Sequence, residues 1–344
     1  MITIKDIADA LSMSHSTVSR ALNNHKAINE QTRIKVQETA ARMGYIPNSG
    51  ARMMRGLSSR LVGLIVPNVQ NEFFSALARV LSNNCALYGY SMMLGISEDD
   101  PVREQEQIEA LVQSRALGVM IAPSERSTVA TRRLLKAIPC VQLLRYEPQL
   151  GGLAVRVNEE RAIHTATDHL AAQGHRQIGY IGTLETTSTG ASRLAGFRAA
   201  CRDHGGEVDS ALIRLGPPSP EYGSQAVHEL LSMRPDLTGL VIGSPRQMSG
   251  ALLALRERGV AIPKQVSIVG YGDTEWFQVA TVPLTAMALP VRDMSEQATA
   301  LLFSAIGNQA GATTSFPHKE LIFEATLVAR HSTAMPSVDI AVKT

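Results

Sequence analysis

Two textures of hydrophobic patterning divide the chain near residue 60. Up to residue 45, apolar positions recur at helical spacing in short segments. Ile4, Ile7, Ala8 and Leu11 mark a first helix. It opens on Thr3-Ile4-Lys5-Asp6, a capping-box pattern in which side chains satisfy the first backbone donors. After the polar break at Ser12-Met13, Ser14 can cap a second helix over 15–22 that turns Val18, Ala21 and Leu22 inward. A loop over 23–26 leads to a third helix. It begins at Asn29 or Glu30, runs to Met43, and is closed by Gly44 and Pro47. Two short helices joined by a tight turn and braced by a third make a helix-turn-helix.

From Leu61 onward, short apolar runs alternate with amphipathic stretches. Strands are predicted at 62–66, 91–94, 118–121, 141–144, 178–181, 240–242 and 266–270. Helices are predicted at 72–87, 105–112, 159–172, 192–201, 222–231 and 248–258. Strand–helix alternation with right-handed crossovers gives doubly wound parallel sheets. About 270 residues exceed one such sheet of average size, so two similar lobes are expected.

Charge sharpens the division. Residues 1–60 hold nine Lys/Arg against four Asp/Glu, whereas the remainder holds 24 against 27. A basic head on a mildly acidic body suits a nucleic-acid-binding module joined to a body with another task. Cys85, Cys140 and Cys201 are odd in number, far apart and form no CxxC pair, which points to reduced thiols in a cytoplasmic protein. No run of eighteen apolar residues occurs and the N-terminus lacks a secretory pattern, so no membrane association is expected.

The motifs of common enzymes are missing. There is no GxxxxGK[ST] loop, no GxGxxG after a strand and no GxSxG elbow. His228-Glu229 is followed by Ser232 where a zinc helix would carry its second His. His164 and His169 are five apart and do not share a helix face as metal ligands would. Neither an enzyme, a cofactor nor a metal site is expected.

Three blocks in the head carry a resemblance: 3–8 (TIKDIA), 14–23 (SHSTVSRALN) and 44–48 (GYIPN). With 62–67 (VGLIVP), 174–179 (GHRQIG), 193–197 (RLAGF) and 266–271 (VSIVGY), they resemble the lactose/galactose repressor (LacI) family in order and spacing. The resemblance covers roughly residues 1–332. It implies an all-α helix-turn-helix head at 1–46, a hinge helix at 47–60 and a core at 61–332 like periplasmic binding proteins. That core would have an N-lobe of about 61–159 plus 290–320 and a C-lobe of about 160–289 plus 321–332. Residues 333–344 would be a tail with no leucine heptad, which favours a homodimer over a tetramer.

The resemblance also assigns roles. His15 and Ser16 would read base edges of double-stranded operator DNA, and Arg20 can donate two hydrogen bonds to guanine O6 and N7. Thr17, Ser19 and Asn48 suit phosphates, which fix register without reading sequence. Thr3, Ser14, Asn23 and the hinge Arg52 join the DNA-facing set, and Met54 stands where an apolar wedge would kink the minor groove. The dimer's two-fold axis implies a palindromic operator.

For the effector, Phe73, Phe74, Thr189 and Arg193 fall at the family's cleft positions. Gly272, with Asp273 next, stands where the family usually has an Asp, and Ser244-Pro245-Arg246 replaces its Asn-Asp pair. Both changes remove carboxylate and one adds a cation, so an anionic sugar acid such as gluconate or a keto-gluconate is expected as the effector. A neutral sugar is the alternative, with Arg246 turned to solvent. A solute-binding protein without DNA function would fit the core but not the basic head.

Overall fold

The first helix starts where its capping box predicts. The Thr3 backbone N–H donates to Asp6 Oδ2 (2.7 Å) and the Asp6 N–H donates to Thr3 Oγ1 (3.4 Å), opening α1 at Ile4–Leu11. The helix stops on Ser12, which takes a left-handed conformation (φ 51°) and sends its N–H to the carbonyls of Ala8 and Asp9. Ser14 then caps α2 (His15–Leu22) by accepting the Thr17 N–H at 3.1 Å, and Asn29 caps α3 (Glu30–Arg42) by accepting the Thr32 N–H at 2.8 Å. The three helices close on Ile7, Ala8, Val18, Ala21, Val36 and Ala40. Burying each of the larger side chains contributes about 1.5–3 kcal/mol.

This computed structural model describes residues 2–45, 59–206, 209–308 and 319–336. The chain forms two compact units, Met1–Ser59 and Arg60–Thr344. Asn48, Arg52 and Met54, with the expected hinge as far as residue 58, lie outside the described residues, as does the tail from residue 337.

The larger unit holds two six-stranded sheets. The first contains β1 (Leu61–Val66), β2 (Ser91–Ile96), β3 (Gly118–Ile121), β4 (Cys140–Leu143), β5 (Leu153–Val157) and β11 (Lys319–Phe323), in the order β11-β5-β4-β3-β1-β2. The second contains β6 (Ile178–Gly182), β7 (Ile213–Leu215), β8 (Gly239–Ile242), β9 (Ser267–Tyr271), β10 (Thr285–Ala288) and β12 (Thr326–Val328), in the order β12-β10-β9-β8-β6-β7. Every pairing is parallel except β12 on β10. Around them lie α4 (Glu72–Leu87), α5 (Pro101–Gln113), α6 (Val129–Lys136), α7 (Glu159–Ala172), α8 (Ser188–Asp203), α9 (Pro220–Met233), α10 (Pro245–Glu257), α11 (Glu275–Val279) and α12 (Val291–Asn308).

Both faces of each sheet are covered, which is why the inner strands are largely apolar rather than alternating. The chain passes between lobes after β5, after β10 and again after β11. The last return was expected at 320–321. It comes after Phe323, because residues 319–323 pair with β5 along their whole length. Strands β5, β7, β10, β11 and β12 and helices α6, α11 and α12 are additions to the sequence-based set.

Two glycines fix the packing beside the cleft. A Cβ on Gly223 of α9 would lie 2.0 Å from the Gln247 carbonyl oxygen, and one on Gly250 of α10 would lie 1.7 Å from that of Pro220. These helices therefore meet backbone to backbone, which sets the start of α10 against the 216–218 loop. All three cysteines are free. Burial pushes the thiols of Cys85 and Cys201 up to about 11 and that of Cys140 to about 12, so none is a ready nucleophile at neutral pH.

Candidate functional site

In the head, His15, Ser16 and Arg20 on α2 and Asn23 at its C-cap are all exposed. Ser16, Arg20 and Asn23 are spaced at i, i+4 and i+7, on one face opposite Val18 and Ala21. Among the described residues, neither the His15 ring nor the Arg20 guanidinium has a hydrogen-bond or ion-pair partner, so both are available to a ligand. The others are partly committed. Ser14 Oγ lies 2.8 Å from both Ser16 Oγ and Thr17 Oγ1, Asn23 Nδ2 donates to the Ser19 carbonyl (2.6 Å), and Thr3 Oγ1 donates to Asp6 Oδ2 (2.8 Å). Thr3, Ser14, Thr17 and Ser19 thus shape the ends and inner edge of the face more than its centre.

In the larger unit, a cavity of about 400 Å³ opens at the carboxyl ends of the strands, between the lobes. This is where ligands bind in open α/β folds, and the volume suits a small molecule. The starts of α4, α8 and α10 meet it. Phe73 and Phe74 form part of its wall, packed edge to face with centroids 5.3 Å apart. Thr189 lies within the first turn of α8 rather than on a loop, buried against the cavity.

Arg193 also reaches the cavity, but it is already paired. Its Nε and Nη2 donate to the two oxygens of Glu159 at 2.7 and 3.0 Å, and its Nη1 donates to the Gly243 carbonyl at 3.0 Å. The guanidinium stacks 3.9 Å over the Tyr271 ring. Both ends of the ion pair are buried, at 8% and 2% side-chain exposure. Burial pulls the guanidinium pKa down, but the Glu159 carboxylate together with the Tyr271 and Tyr180 phenols outweighs it, leaving the group above its ordinary value. Burial and the same carboxylate hold the Tyr271 phenol well above its usual range.

Three expected contributors stand differently. Arg246 is not in the cavity wall. Its Nε donates to the Pro218 carbonyl at 3.2 Å, behind the loop that lines it. Asp273 faces an adjoining cavity of about 750 Å³ and is held bidentately by Arg330 at 2.7 and 2.7 Å. Gly272 does line the first cavity, but its φ of +84° is a conformation that favours glycine for backbone reasons. Loss of a carboxylate there needs no electrostatic explanation.

The sequence reading missed several groups. Asn68, Asn71, Leu144, Arg145, Thr183, Ser244 and Tyr271 line the cavity, as do Glu98, Asp99 and Glu125. Arg145 is ion-paired to Asp99 and reaches the Pro123 carbonyl at 3.3 Å, while Glu98 is paired to Arg103. Thr183 Oγ1 and Ser244 Oγ are buried without a hydrogen-bond partner. Ser244 sits at the N-cap of α10 without capping it, so its hydroxyl is free for a ligand. The sequence placed Ser244-Pro245-Arg246 at the cleft and looked to Arg246 for the contact, whereas Ser244 and Pro245 are the ones in the wall.

No group of three or more His, Cys, Asp or Glu able to hold a metal occurs among the described residues. His164 pairs with Asp203 (2.8 Å), His169 lies 3.0 Å from Thr333 Oγ1, and His175 is fixed between Thr238 Oγ1 (2.9 Å) and the Ala334 carbonyl (2.8 Å). No described helix is long and apolar enough to cross a membrane.

Comparison with known proteins bears on both units. Residues 3–48 match the model of bacterial regulatory proteins, lacI family, and residues 167–333 match that of a periplasmic binding protein-like domain. The HTH-type transcriptional regulator GalR of Escherichia coli K12 is 28% identical over 340 residues, covering 98% of each chain. The HTH-type transcriptional repressor CytR of the same organism is 29% identical, covering 93% of this chain and 94% of its own. Among solved structures, a lac repressor dimer bound to operator and the anti-inducer ONPF superposes with a TM-score of 0.84 at 23% identity, covering 97% of this chain and 99% of its own. A LacI family transcriptional regulator from Silicibacter pomeroyi gives 0.69 at 27% identity, covering 79% and 98%.

Proposed function

The chain belongs to the LacI family of bacterial regulatory proteins, a DNA-binding transcriptional regulator and not an enzyme, and on that premise we propose that it is a homodimeric repressor released by a neutral, hydroxyl-rich effector. Each head lays α2 in the major groove of one half of a palindromic operator, with His15, Ser16 and Arg20 toward base edges. Such a protein works in the cytoplasm, where its DNA is. Support for the dimer comes from the first lobe, where Leu87, Tyr88, Met93 and Leu94 are exposed at the end of α4 and on the edge strand β2. An uncovered apolar edge invites pairing.

The observation that carries the effector class is the buried Arg193–Glu159 pair. The sugar-acid expectation needed free cations in the cleft. Arg193 is neutralised by Glu159, Arg145 by Asp99, and Arg246 is turned behind Pro218. Glu98 and Glu125 at the cavity are paired in their turn, with Arg103 and Arg126. What remains for a ligand is an aromatic wall at Phe73 and Phe74 and the open hydroxyls of Thr183 and Ser244. That is the equipment for a sugar ring: apolar faces against phenyl rings, and hydroxyls against small polar groups. The second reading, a sugar acid, is favoured by the three helix starts at the cavity, whose positive dipole ends attract anions.

Ligand binding between the lobes favours one lobe arrangement, and the difference in affinity for the two arrangements shifts the DNA-binding equilibrium. The test is a thermal-shift screen of the purified protein against neutral sugars, nucleosides, aldonic acids and keto-aldonic acids. A ligand that binds the native state raises the melting temperature by mass action. A shift with a neutral sugar or nucleoside supports the reading. A shift confined to the acids assigns the sugar-acid effector instead.

A further inference from the structure

We propose that Glu159 is a positioning residue that sets the charge selectivity of the cleft, acting through Arg193 to exclude carboxylate-bearing effectors. The inference deepens the proposed neutral effector and rests on that reading. Guanidinium is the group best suited to grip a carboxylate, because its parallel N–H donors match the two oxygens. Arg193 lies in the cavity wall with its side chain almost wholly buried, so an anionic ligand reaching it would meet a strong, weakly screened cation. Glu159 takes that role permanently. Its two oxygens accept from Nε and Nη2, the fork that would otherwise receive a ligand carboxylate.

The placement makes this occupation durable. Glu159 is the first residue of α7, immediately after the chain enters the second lobe, and Arg193 is on α8. The two helices pack closely, since a Cβ on Gly196 of α8 would fall 2.0 Å from the Glu160 carbonyl oxygen. That close packing holds the two side chains within reach of each other. The Gly243 carbonyl takes a further Arg193 donor and the Tyr271 ring covers one face of the guanidinium, which adds to what holds the fork on Glu159. The carboxylate also cancels the charge of Arg193. With Arg145 also paired, to Asp99, an incoming carboxylate finds no unpaired guanidinium in the cavity wall.

The experiment is isothermal titration of the full chain and of Glu159→Gln with the neutral sugar found in the screen and with the aldonic acid of the same carbon skeleton. The glutamine keeps the size and one of the two acceptors, and leaves the Arg193 charge uncompensated. The inference predicts that the ratio of acid to neutral affinity rises at least tenfold in the variant, and that Glu159→Asp, which retains the charge, restores the original ratio. A merely structural role would lower both affinities together and leave the ratio unchanged, which would overturn the proposal. If Glu159→Gln is unfolded, Glu159→Leu must show the same gain, and failure of both to fold would assign Glu159 to folding and overturn the selectivity role. Preference of the unaltered chain for the acid would overturn the neutral-effector reading and this inference together. A neutral preference left unchanged in the variants would overturn this inference alone.

Discussion

The outer face of α2 and the wall of the cleft use similar polar residues in opposite ways. On α2, His15 and Arg20 stand exposed without partners among the described residues, on a helix held by an apolar core that they do not touch. In the cleft, Arg193 and Arg145 are bonded to acids, with Arg193 and its partner wholly out of solvent. An exposed cation costs little to keep and can be matched to a phosphate or a base edge, while a buried one must be compensated before any ligand arrives. The head is therefore built to receive charge. The cleft has its charge settled internally, which suits the neutral effector proposed for it.

That contrast is broken most strongly by Arg193→Ala. Truncation leaves the Glu159 carboxylate buried and uncompensated, which costs about 3–5 kcal/mol. The expected result is a large drop in chemical-denaturation midpoint for the core transition together with loss of effector binding. A next, smaller effect is expected from Arg20→Ala, which would remove the proposed base-edge contact, worth about 1–3 kcal/mol of discrimination. Gel-shift titration should show weakened operator binding with effector affinity unchanged, because no core contact is lost.

A third effect concerns pH. Burial lowers the pKa values of His169 and His175, and His175 donates from Nε2 to the Ala334 carbonyl while accepting from Thr238 at Nδ1, an arrangement of the neutral ring. With the folded value below the unfolded one, the folded state binds fewer protons in between. The stabilisation is present above about pH 6.5 and is lost as pH falls through the lowered folded values. Melting temperature should decline from pH 7 toward pH 5.5, and His175→Gln should flatten that slope. The smallest effect is a gain. Ser12 holds φ 51° at the end of α1, and relieving a non-glycine left-handed residue is worth about 1 kcal/mol. Ser12→Gly should raise the head's melting temperature slightly and leave the α2 face unchanged.

How much of this was legible in the sequence follows the same contrast. The head was readable almost residue by residue, because its caps at Thr3, Ser14 and Asn29 bond within three residues of themselves. The main βα alternation was readable too. Short strands such as β7 and β12 were not, since three residues carry no periodicity. Helix α12 hid its pattern at Met294, Ala298, Leu301, Leu302 and Ala305 among small residues, just after Pro290.

In the cleft, position was legible and partnership was not. Phe73, Phe74, Thr189, Arg193 and Gly272 do line the cavity. The pairing of Arg193 with Glu159, 34 residues away, and of Asp273 with Arg330, 57 away, has no local signature. Arg246 looked like a cleft cation because it follows Ser244 and Pro245, which are in the wall. Pro245 starts a helix, and one step along it carries Arg246 toward Pro218. Charge read from sequence counts residues, while charge felt by a ligand counts what the fold has left unpaired.

The most direct test of this account is the salt dependence of the two binding reactions in the full-length protein. DNA selected from a random pool, and the neutral ligand identified by thermal shift, are titrated at 50 and 200 mM salt. The account predicts that DNA affinity falls steeply, as expected when Lys and Arg displace counterions from phosphates, while effector affinity stays nearly constant. Effector affinity that falls in parallel with DNA affinity would mean that the cleft binds charge, and would contradict the account at its centre.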